Sequence, residues 1–566
     1  MQQFLDAIRA ALAAASGLPI EEIRLERPRD PKLGDAAFPC FPLAKALKQA
    51  PPAIAAELAR KVDEALEGVT ATATGPYLNF VIDRALLART IVNEVLEQGA
   101  AYGSSDEGQG QTIVIDFSSP NIAKPMSVGH LRSTVIGAAT QRLFNALGYR
   151  TVGINHIGDW GSQFGKLVAA MNRWGATVDV ERDPIKALLE LYVRFHKEVE
   201  QDPALEEEGR AAFRALESGA ENEVRATWRR LTELSLAEFQ KIYSRLGVAF
   251  DLIRGEAFYE THLDAAIERI VASGVTVESE GALVVPLDQF GEHVPPCLLR
   301  KTDGTTLYAT RDLAAVFHRF EEFQFARCLY VVGADQRLHF QQLKWVLQRM
   351  QLPWEPRVEH VDFGMLRLPE GKMSTREGRV VFLEDVLDRA RDEAAKVIAA
   401  KNPDLAGASE VAEAVGVGAV VFNDLKRERV KDVEFVWEDV LSFEGDTGPY
   451  VQWTHARLAS IGRKVADADE GQAAPDWSAL EAAAPLLLIL GRYRDVLRGA
   501  AERAEPSEVT GYLLGLAREV NSWIAKERVL GQEPSVTAAR VALALAARQV
   551  LANGLGILGV AAPEAM

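Results

Sequence analysis

Cysteine is scarce. Cys40, Cys297 and Cys328 are the only ones in 566 residues, they lie far apart, and no CxxC pair occurs. That argues against a disulfide framework and against a zinc site built on cysteine pairs. The nine histidines are scattered too, and no tightly held metal is expected. Positive charge is also short: 63 Lys and Arg face 80 Asp and Glu, for a formal net charge of −17. Such a balance argues against indiscriminate nucleic-acid binding, although a local basic surface is compatible with it. No apolar run approaches the roughly 20 residues of a membrane span, so no membrane partner is expected. The start, "MQQFLDAIRAALAAASG", has helical apolar spacing and an acid, Asp6, but no basic stretch leading into a compact apolar block. No signal peptide is expected, and the cytoplasm is the expected compartment.

What is present is an ordinary globular composition, 48% hydrophobic and 25% charged. At about 100–200 residues per domain the length suggests three or four domains. Residues 1–105 read as a small α/β domain, with helical patterns at 2–16, 52–66 and 84–99 around a turn-rich middle and the alternating "TATATGPYLNFVID". The stretch "AYGSSDEGQGQ" has no periodicity and reads as a linker. From 106 to 382, strand patterns ("TIVIDF", "YRTVGINHIGD", "CLYVVGAD") alternate with helical ones, which predicts a parallel sheet. A charge-rich, mostly helical insertion is expected near 160–245. Residues 383–566 read as a helical bundle, with segments at 383–401, 409–425, 449–465, 478–503, 507–529 and 535–558.

Two short motifs carry chemistry. "SSPNIAKPMSVGHLRS" follows the first strand of the sheet and opens a helix. In an open parallel sheet, ligands sit beyond the carboxyl ends of the strands. Gly129 allows close approach of a ligand, the helix start offers free N–H groups and a positive dipole end, and Lys124 and His130 add donors suited to phosphate. About 240 residues later comes "EGKMSTREGRVV", where Lys372, Ser374 and Arg376 are donors for a triphosphate and for the pyrophosphate that leaves it. Taken singly, a Gly-His pair is an ordinary loop and "KMS" an ordinary hairpin.

Together, in this order, the two motifs resemble the HIGH and KMSKS signatures of class I aminoacyl-tRNA synthetases. "NHIGDWGSQFG", "LYATRDLA", "VVGADQRLHFQQL", "FEGDTGPYVQWTHARL" and the ending "LGILGVAAPEAM" narrow the resemblance to the arginyl-tRNA synthetases, and from "LGDAAFPCFPLAK" onwards it covers nearly the whole chain. It implies a multidomain α/β fold: a Rossmann-like parallel-sheet catalytic domain with a helical insertion, a small N-terminal α/β domain contacting the tRNA elbow, and a C-terminal α-helical anticodon-binding bundle. The implied activity joins L-arginine to the 3′ end of its tRNA through arginyl-adenylate, consuming ATP as its Mg2+ complex and releasing AMP and pyrophosphate. Arginine activation is expected to need bound tRNA, and a monomer is expected.

The resemblance also implies residue roles. Lys124, Ser127, His130, Lys372, Ser374 and Arg376 are the expected catalytic groups, and Gly129, His130, His339, Met373 and Ser374 the ATP contacts. Asp116, Tyr308, Asp312 and Gln336 would surround the arginine side chain, with Ser119 and Asn121 near its α-amino and carboxylate groups. A guanidinium is a planar fork of donors best met by carboxylates and amide oxygens, and a tyrosine ring can pack on its face. If "LYATRD" opens a helix, Tyr308 and Asp312 share one face. His156, Gly158, Asp159 and Gln163 are assigned to substrate or adenosine contacts, a turn with Asp159 as helix cap being the other reading. Tyr77, Asn79, Trp453, Arg457, Tyr512 and Trp523 are the candidate tRNA contacts. Over 491–550, nine basic residues face only seven acids, so any basic face there must come from placement.

The sequence departs from the family pattern at two points. Ser127 stands where the first motif has its first histidine, and Thr375 where a second lysine is common. Family members without that lysine often carry one at the position of Lys124. Two alternatives remain open at this level: a synthetase-like paralogue that binds without aminoacylating, and a class I synthetase for another amino acid.

Overall fold

The structure is a computed structural model that describes residues 1–566 except 29, 219, 368–380, 435, 437, 439–444 and 469–472. Its centre is a five-stranded sheet in the order Val358–His360, Arg327–Tyr330, Thr112–Asp116, Arg150–Asn155, Leu252–Ile253. Every neighbouring pair is parallel. Such strands are covered on both faces and read as continuous apolar runs, as "TIVID" does. Alternate residues serve opposite faces: Ile113, Ile115 and Phe117 belong to one core cluster, Val114, Cys328 and Tyr330 to the other. The chain winds outward in one direction from Thr112–Asp116, then crosses back to Arg327–Tyr330 on its other side. The crevice at that reversal is where doubly wound sheets bind ligands. Asp116 and Tyr330 are register partners at its mouth.

The helix Val128–Ala146 follows the first strand and packs close over it: a Cβ on Gly137 would lie 2.3 Å from Phe117. Between the second and third strands, the helices Ser162–Trp174, Pro184–Val199, Ala204–Glu217 and Glu223–Leu246 form an excursion with its own core of Leu167, Leu188, Leu191, Phe195 and Leu231. The N-terminal unit lays helix Pro51–Asp63, backed by Gln2–Ser16, against an antiparallel sheet ordered Ala36–Pro39, Tyr77–Ile82, Val69–Thr74.

The helix Arg84–Gln98, capped by Asp83 accepting from the Leu86 amide at 2.8 Å, packs on the C-terminal helices Ala484–Leu490 and Pro534–Leu558. Tyr102 seals the junction, its hydroxyl donating to the Leu490 carbonyl at 3.0 Å, and the Asn553 side chain donates to the Gly99 carbonyl at 2.9 Å. One hydrophobic cluster therefore runs from Met1 to Val560. Pro534–Leu558 is, by length and composition, apolar enough to cross a membrane, which the sequence reading overlooked. Here it is the central helix of the bundle, with Val541, Leu543, Val550, Leu551 and Leu555 buried. The expected single helix over 478–503 is interrupted after Leu490. At Gly491 the chain passes so close to Met1 that a Cβ there would lie 2.9 Å from the Met1 Cβ, and helix resumes only at Tyr493.

Candidate active site

The loop after Thr112–Asp116 is held in a costly backbone shape. Ser118, Ser119 and Ala123 have φ of 72°, 49° and 60°, in the region that side chains other than glycine's disfavour. A dense set of hydrogen bonds offsets that strain. The Ser118 amide donates to Ser133 Oγ at 2.9 Å, and that hydroxyl donates on to the Val331 carbonyl at 2.6 Å. Ser118 Oγ lies 2.8 Å from the Thr134 hydroxyl and 2.9 Å from that of Tyr243. The Ser119 amide donates to Asn155 Oδ1 at 3.2 Å.

Further along, the Gly158 amide donates to the Pro120 carbonyl and the Ile122 amide to the Gly158 carbonyl, at 3.0 and 3.1 Å. The loop after the second strand is thus pinned to the first. It leaves no room for a side chain at 158, where a Cβ would sit 2.0 Å from Asn121 Oδ1. Since the obstructing atom is the end of a side chain, Gly158→Ala is expected to displace the Asn121 amide more than the fold. Affinity for a ligand in the crevice should fall roughly tenfold, one hydrogen bond to a charged group being worth about 1.5–3 kcal/mol, while Tm moves little. An unchanged affinity would take Asn121 out of the site.

The helix start is built around Ser127, its N-cap residue. The Ser127 amide donates to His130 Nδ1 at 3.0 Å, and Ser127 Oγ lies 3.1 Å from the same nitrogen. This is a capping-box arrangement in which an imidazole replaces the usual glutamate. Because Nδ1 accepts, the ring proton sits on Nε2. Burial lowers the His130 pKa below its ordinary 6.5 and the charge of Lys124 adds to that, so the ring is a neutral donor. Lys124 Nζ lies 5.8 Å from the centre of the Tyr192 ring on the inserted helices.

Lys372, Met373, Ser374 and Arg376 lie outside the described residues, but both flanks of their segment meet this helix. The Val128 amide donates to the Val381 carbonyl at 3.1 Å and the Leu383 amide to the Met126 carbonyl at 2.9 Å. On the other flank, buried Arg132 donates to the carbonyls of Gly364 (2.8 Å) and Lys431 (2.9 Å), with Asp424 3.2 Å from its Nε. The described flanks of the second motif are therefore joined to the first motif.

Two carboxylates stand beside them. Asp116 is buried and fully engaged: Oδ1 accepts from Ser119 Oγ at 3.0 Å, and Oδ2 lies 2.8 Å from Arg319 Nη2. Asp312 and Tyr308 lie one turn apart on the helix Tyr308–Phe323, and Arg319 sits two turns beyond Asp312 on the same stripe. Asp312 Oδ2 is 2.6 Å from His339 Nε2. Burial works against the Asp312 charge, yet the His339 hydrogen bond and the charges of His339, His156 and Arg319 hold its pKa below the ordinary value. Tyr308 is exposed, with its ring centre 4.7 Å from that of His339. Gln336 is exposed at the end of the short turn Ala334–Gln336. His156 Nδ1 lies 3.4 Å from Arg319, and its ring packs on Tyr259.

Asp159 holds a loop, its Oδ1 accepting from the Ala257 amide at 2.9 Å and its carbonyl from Trp228 Nε1 at 2.8 Å. The sequence reading missed Arg319, Tyr330 and Glu256. Arg319 packs over Tyr330, 5.1 Å from the ring centre. Burial pushes Glu256 up to about 7, with Asp312 and Asp159 pushing the same way against the pull of Arg311. For Arg319 a signal existed, its seven-residue spacing from Asp312. For Glu256 there was none, since only the fold brings it to Asp312.

The expected RNA contacts divide. Tyr77 packs edge-on against exposed Phe41, ring centres 5.8 Å apart. Asn79 is buried, and its amide nitrogen has no hydrogen-bond partner among the described residues. Trp453 is 48% exposed, with the Arg457 guanidinium 5.5 Å from its ring centre. Together with Lys401, Tyr450 and Met566, Trp453 lines a cavity of about 490 Å³. Trp523, by contrast, is buried, and the Tyr512 hydroxyl donates to the Ile489 carbonyl at 3.1 Å within the bundle. Both are packing groups, because the amphipathic stripe that carries them faces the core.

Comparison with known proteins bears on all three parts of the chain. Residues 2–82 match the arginyl tRNA synthetase N terminal domain, 91–437 the class I (R) tRNA synthetase catalytic domain, and 451–566 the DALR anticodon binding domain. An arginine–tRNA ligase of Exiguobacterium sibiricum is 47% identical over 565 residues, covering all of this chain and 99% of that protein. One of Clostridioides difficile is 44% identical, with full coverage of both. The solved arginyl-tRNA synthetase of Thermus thermophilus superposes over the whole of both chains with a TM-score of 0.83 at 28% identity. That of Plasmodium falciparum, 20% identical, shares the fold with a TM-score of 0.79 over all of this chain and 99% of its own. Motifs, sheet order, site and relatives agree: the chain belongs to the arginyl-tRNA synthetases of class I.

Proposed function

We propose that this chain charges its tRNA with L-arginine as follows. The arginine carboxylate attacks the α-phosphorus of ATP, supplied as its Mg2+ complex, and pyrophosphate leaves. A ribose hydroxyl at the tRNA 3′ end then attacks the adenylate carbonyl and AMP departs. No covalent enzyme intermediate is needed, so catalysis is positioning and charge stabilisation. His130 Nε2–H, Lys124 and the helix start beginning at Ser127 and Gly129 face the phosphates. Lys372, Met373, Ser374 and Arg376 of the second motif are assigned to the same phosphates. Asp312, Tyr308 and Gln336 take the guanidinium. Asp116 orders Ser119, and with Asn121 these serve the α-amino and carboxylate end.

Residues 1–105 meet the tRNA elbow through Tyr77, buried Asn79 being out of its reach; 106–382 carry the chemistry, and 383–566 read the anticodon with Trp453 and Arg457. The enzyme works as a cytoplasmic monomer. Its three cysteines are buried and unpaired, and burial pushes the Cys40 thiol up to about 11.

What carries this reading is the pairing of 126–128 with 381–383, which brings the flank of the second motif onto the head of the first. ATP–pyrophosphate exchange tests it. Exchange should require arginine and be strongly stimulated by the matching tRNA. No exchange with arginine and tRNA both present would sink the reading.

A further inference from the structure

His339 belongs to the arginine end of the crevice, by geometry. Its ring is 7% exposed, its Nδ1 has no hydrogen-bond partner among the described residues, and its Nε2 lies 2.6 Å from Asp312 Oδ2. Tyr308 packs on the ring at 4.7 Å between centres and Phe340 at 5.1 Å. One imidazole thus touches two of the three groups assigned to the guanidinium and makes its polar contact with the carboxylate. A fork of N–H groups is met well only by a carboxylate whose plane is fixed, because paired hydrogen bonds demand correct distance and angle together. Asp312 lies in the first turns of its helix, where nothing in that helix fixes the carboxylate plane. The Asp312 Oδ2–His339 contact does so and leaves Oδ1 to the substrate.

We infer that His339 is a positioning residue for the arginine side chain. It holds the Asp312 carboxylate and the Tyr308 ring in the geometry that accepts a guanidinium, and it takes no part in binding adenine. The inference rests on Asp312 being the guanidinium acceptor.

A set of substitutions separates this role from others. Gln at 339 can place an amide N–H near the position of Nε2. Asn reaches only the position of Nδ1, and Leu keeps bulk without a donor. In steady-state aminoacylation, His339→Leu and His339→Asn are expected to raise the arginine KM about thirtyfold, the loss expected when a hydrogen bond to a charged group is misplaced. The ATP KM and kcat should stay within about threefold, and His339→Gln should recover most of the loss. If the Leu variant does not fold, the contrast between Asn and Gln, each checked by thermal melting, carries the test. An arginine KM unchanged in Asn and Leu, a Gln variant as poor as Asn, or an ATP KM rising instead would each overturn the inference. The wild type is run in parallel: if it fails to charge tRNA with arginine, the functional reading and this inference fall together, whereas an active wild type with indifferent variants overturns the role of His339 alone.

Discussion

Asp312→Asn is expected to raise the arginine KM at least about thirtyfold and to leave the ATP KM near that of the wild type. Asparagine keeps the shape of the side chain and an oxygen for His339, so the loss isolates the charge. In the free protein that charge is held despite burial by His339, His156 and Arg319, which keep the carboxyl ionised well into acid. Removing one partner of a buried, hydrogen-bonded charge pair costs about 2–5 kcal/mol, and each 1.4 kcal/mol is a factor of about ten. The second carboxylate cannot substitute, because both oxygens of Asp116 are committed, one to Ser119 and one to Arg319. Initial rates at saturating ATP and tRNA against arginine concentration measure the effect. A wild-type arginine KM would place the guanidinium elsewhere.

His130→Ala should act on the other half of the reaction. Loss of a preorganised donor to a charge that grows in the transition state typically lowers kcat about 10²- to 10³-fold. The arginine KM should barely move. The same substitution removes the acceptor for the Ser127 amide and so costs roughly 1 kcal/mol of helix-start stability. His130→Asn separates the two effects. Its side-chain oxygen can take the place of Nδ1 and restore the cap, but nothing replaces Nε2–H. Its Tm should return towards that of the wild type while kcat for adenylate formation stays low. If His130→Asn recovered activity together with stability, the imidazole would be a capping group and the phosphate donor would have to be sought elsewhere, with Lys124 first.

The same pair of residues shows how far the sequence could be read. That a serine stands before the Gly-His pair is plain in the sequence, and as a missing donor it looks like a weakness. The structure gives it the work of an N-cap, locked by the histidine three residues on. Periodicity placed Tyr308 and Asp312 on one helical face, and the β-branched run at 112–116 predicted the buried parallel strand. The partners of the two carboxylates were not legible, because Arg319 and His339 sit on helices brought together only by the order of strands in the sheet. The break at Gly491 comes from an encounter with Met1, at the opposite end of the chain. Tyr512 and Trp523 lie on one amphipathic helix, Ser507–Lys526, whose inward side the sequence pattern alone did not settle.

The strand order has a consequence for how the molecule is made. Thr112–Asp116 pairs on one side with Arg150–Asn155 but on the other only with Arg327–Tyr330. At synthesis rates of about 5–20 residues per second, that second edge waits roughly ten to forty seconds for its partner. Over that interval it is an unpaired edge of a parallel sheet, which invites association with other chains. The helix Arg84–Gln98 waits longer still, since its cover includes Pro534–Leu558, and the Gly99 and Asn553 that tie the two together are 454 residues apart. The crevice therefore takes shape past the middle of synthesis, and the core that joins the two ends of the chain is among the last things it completes.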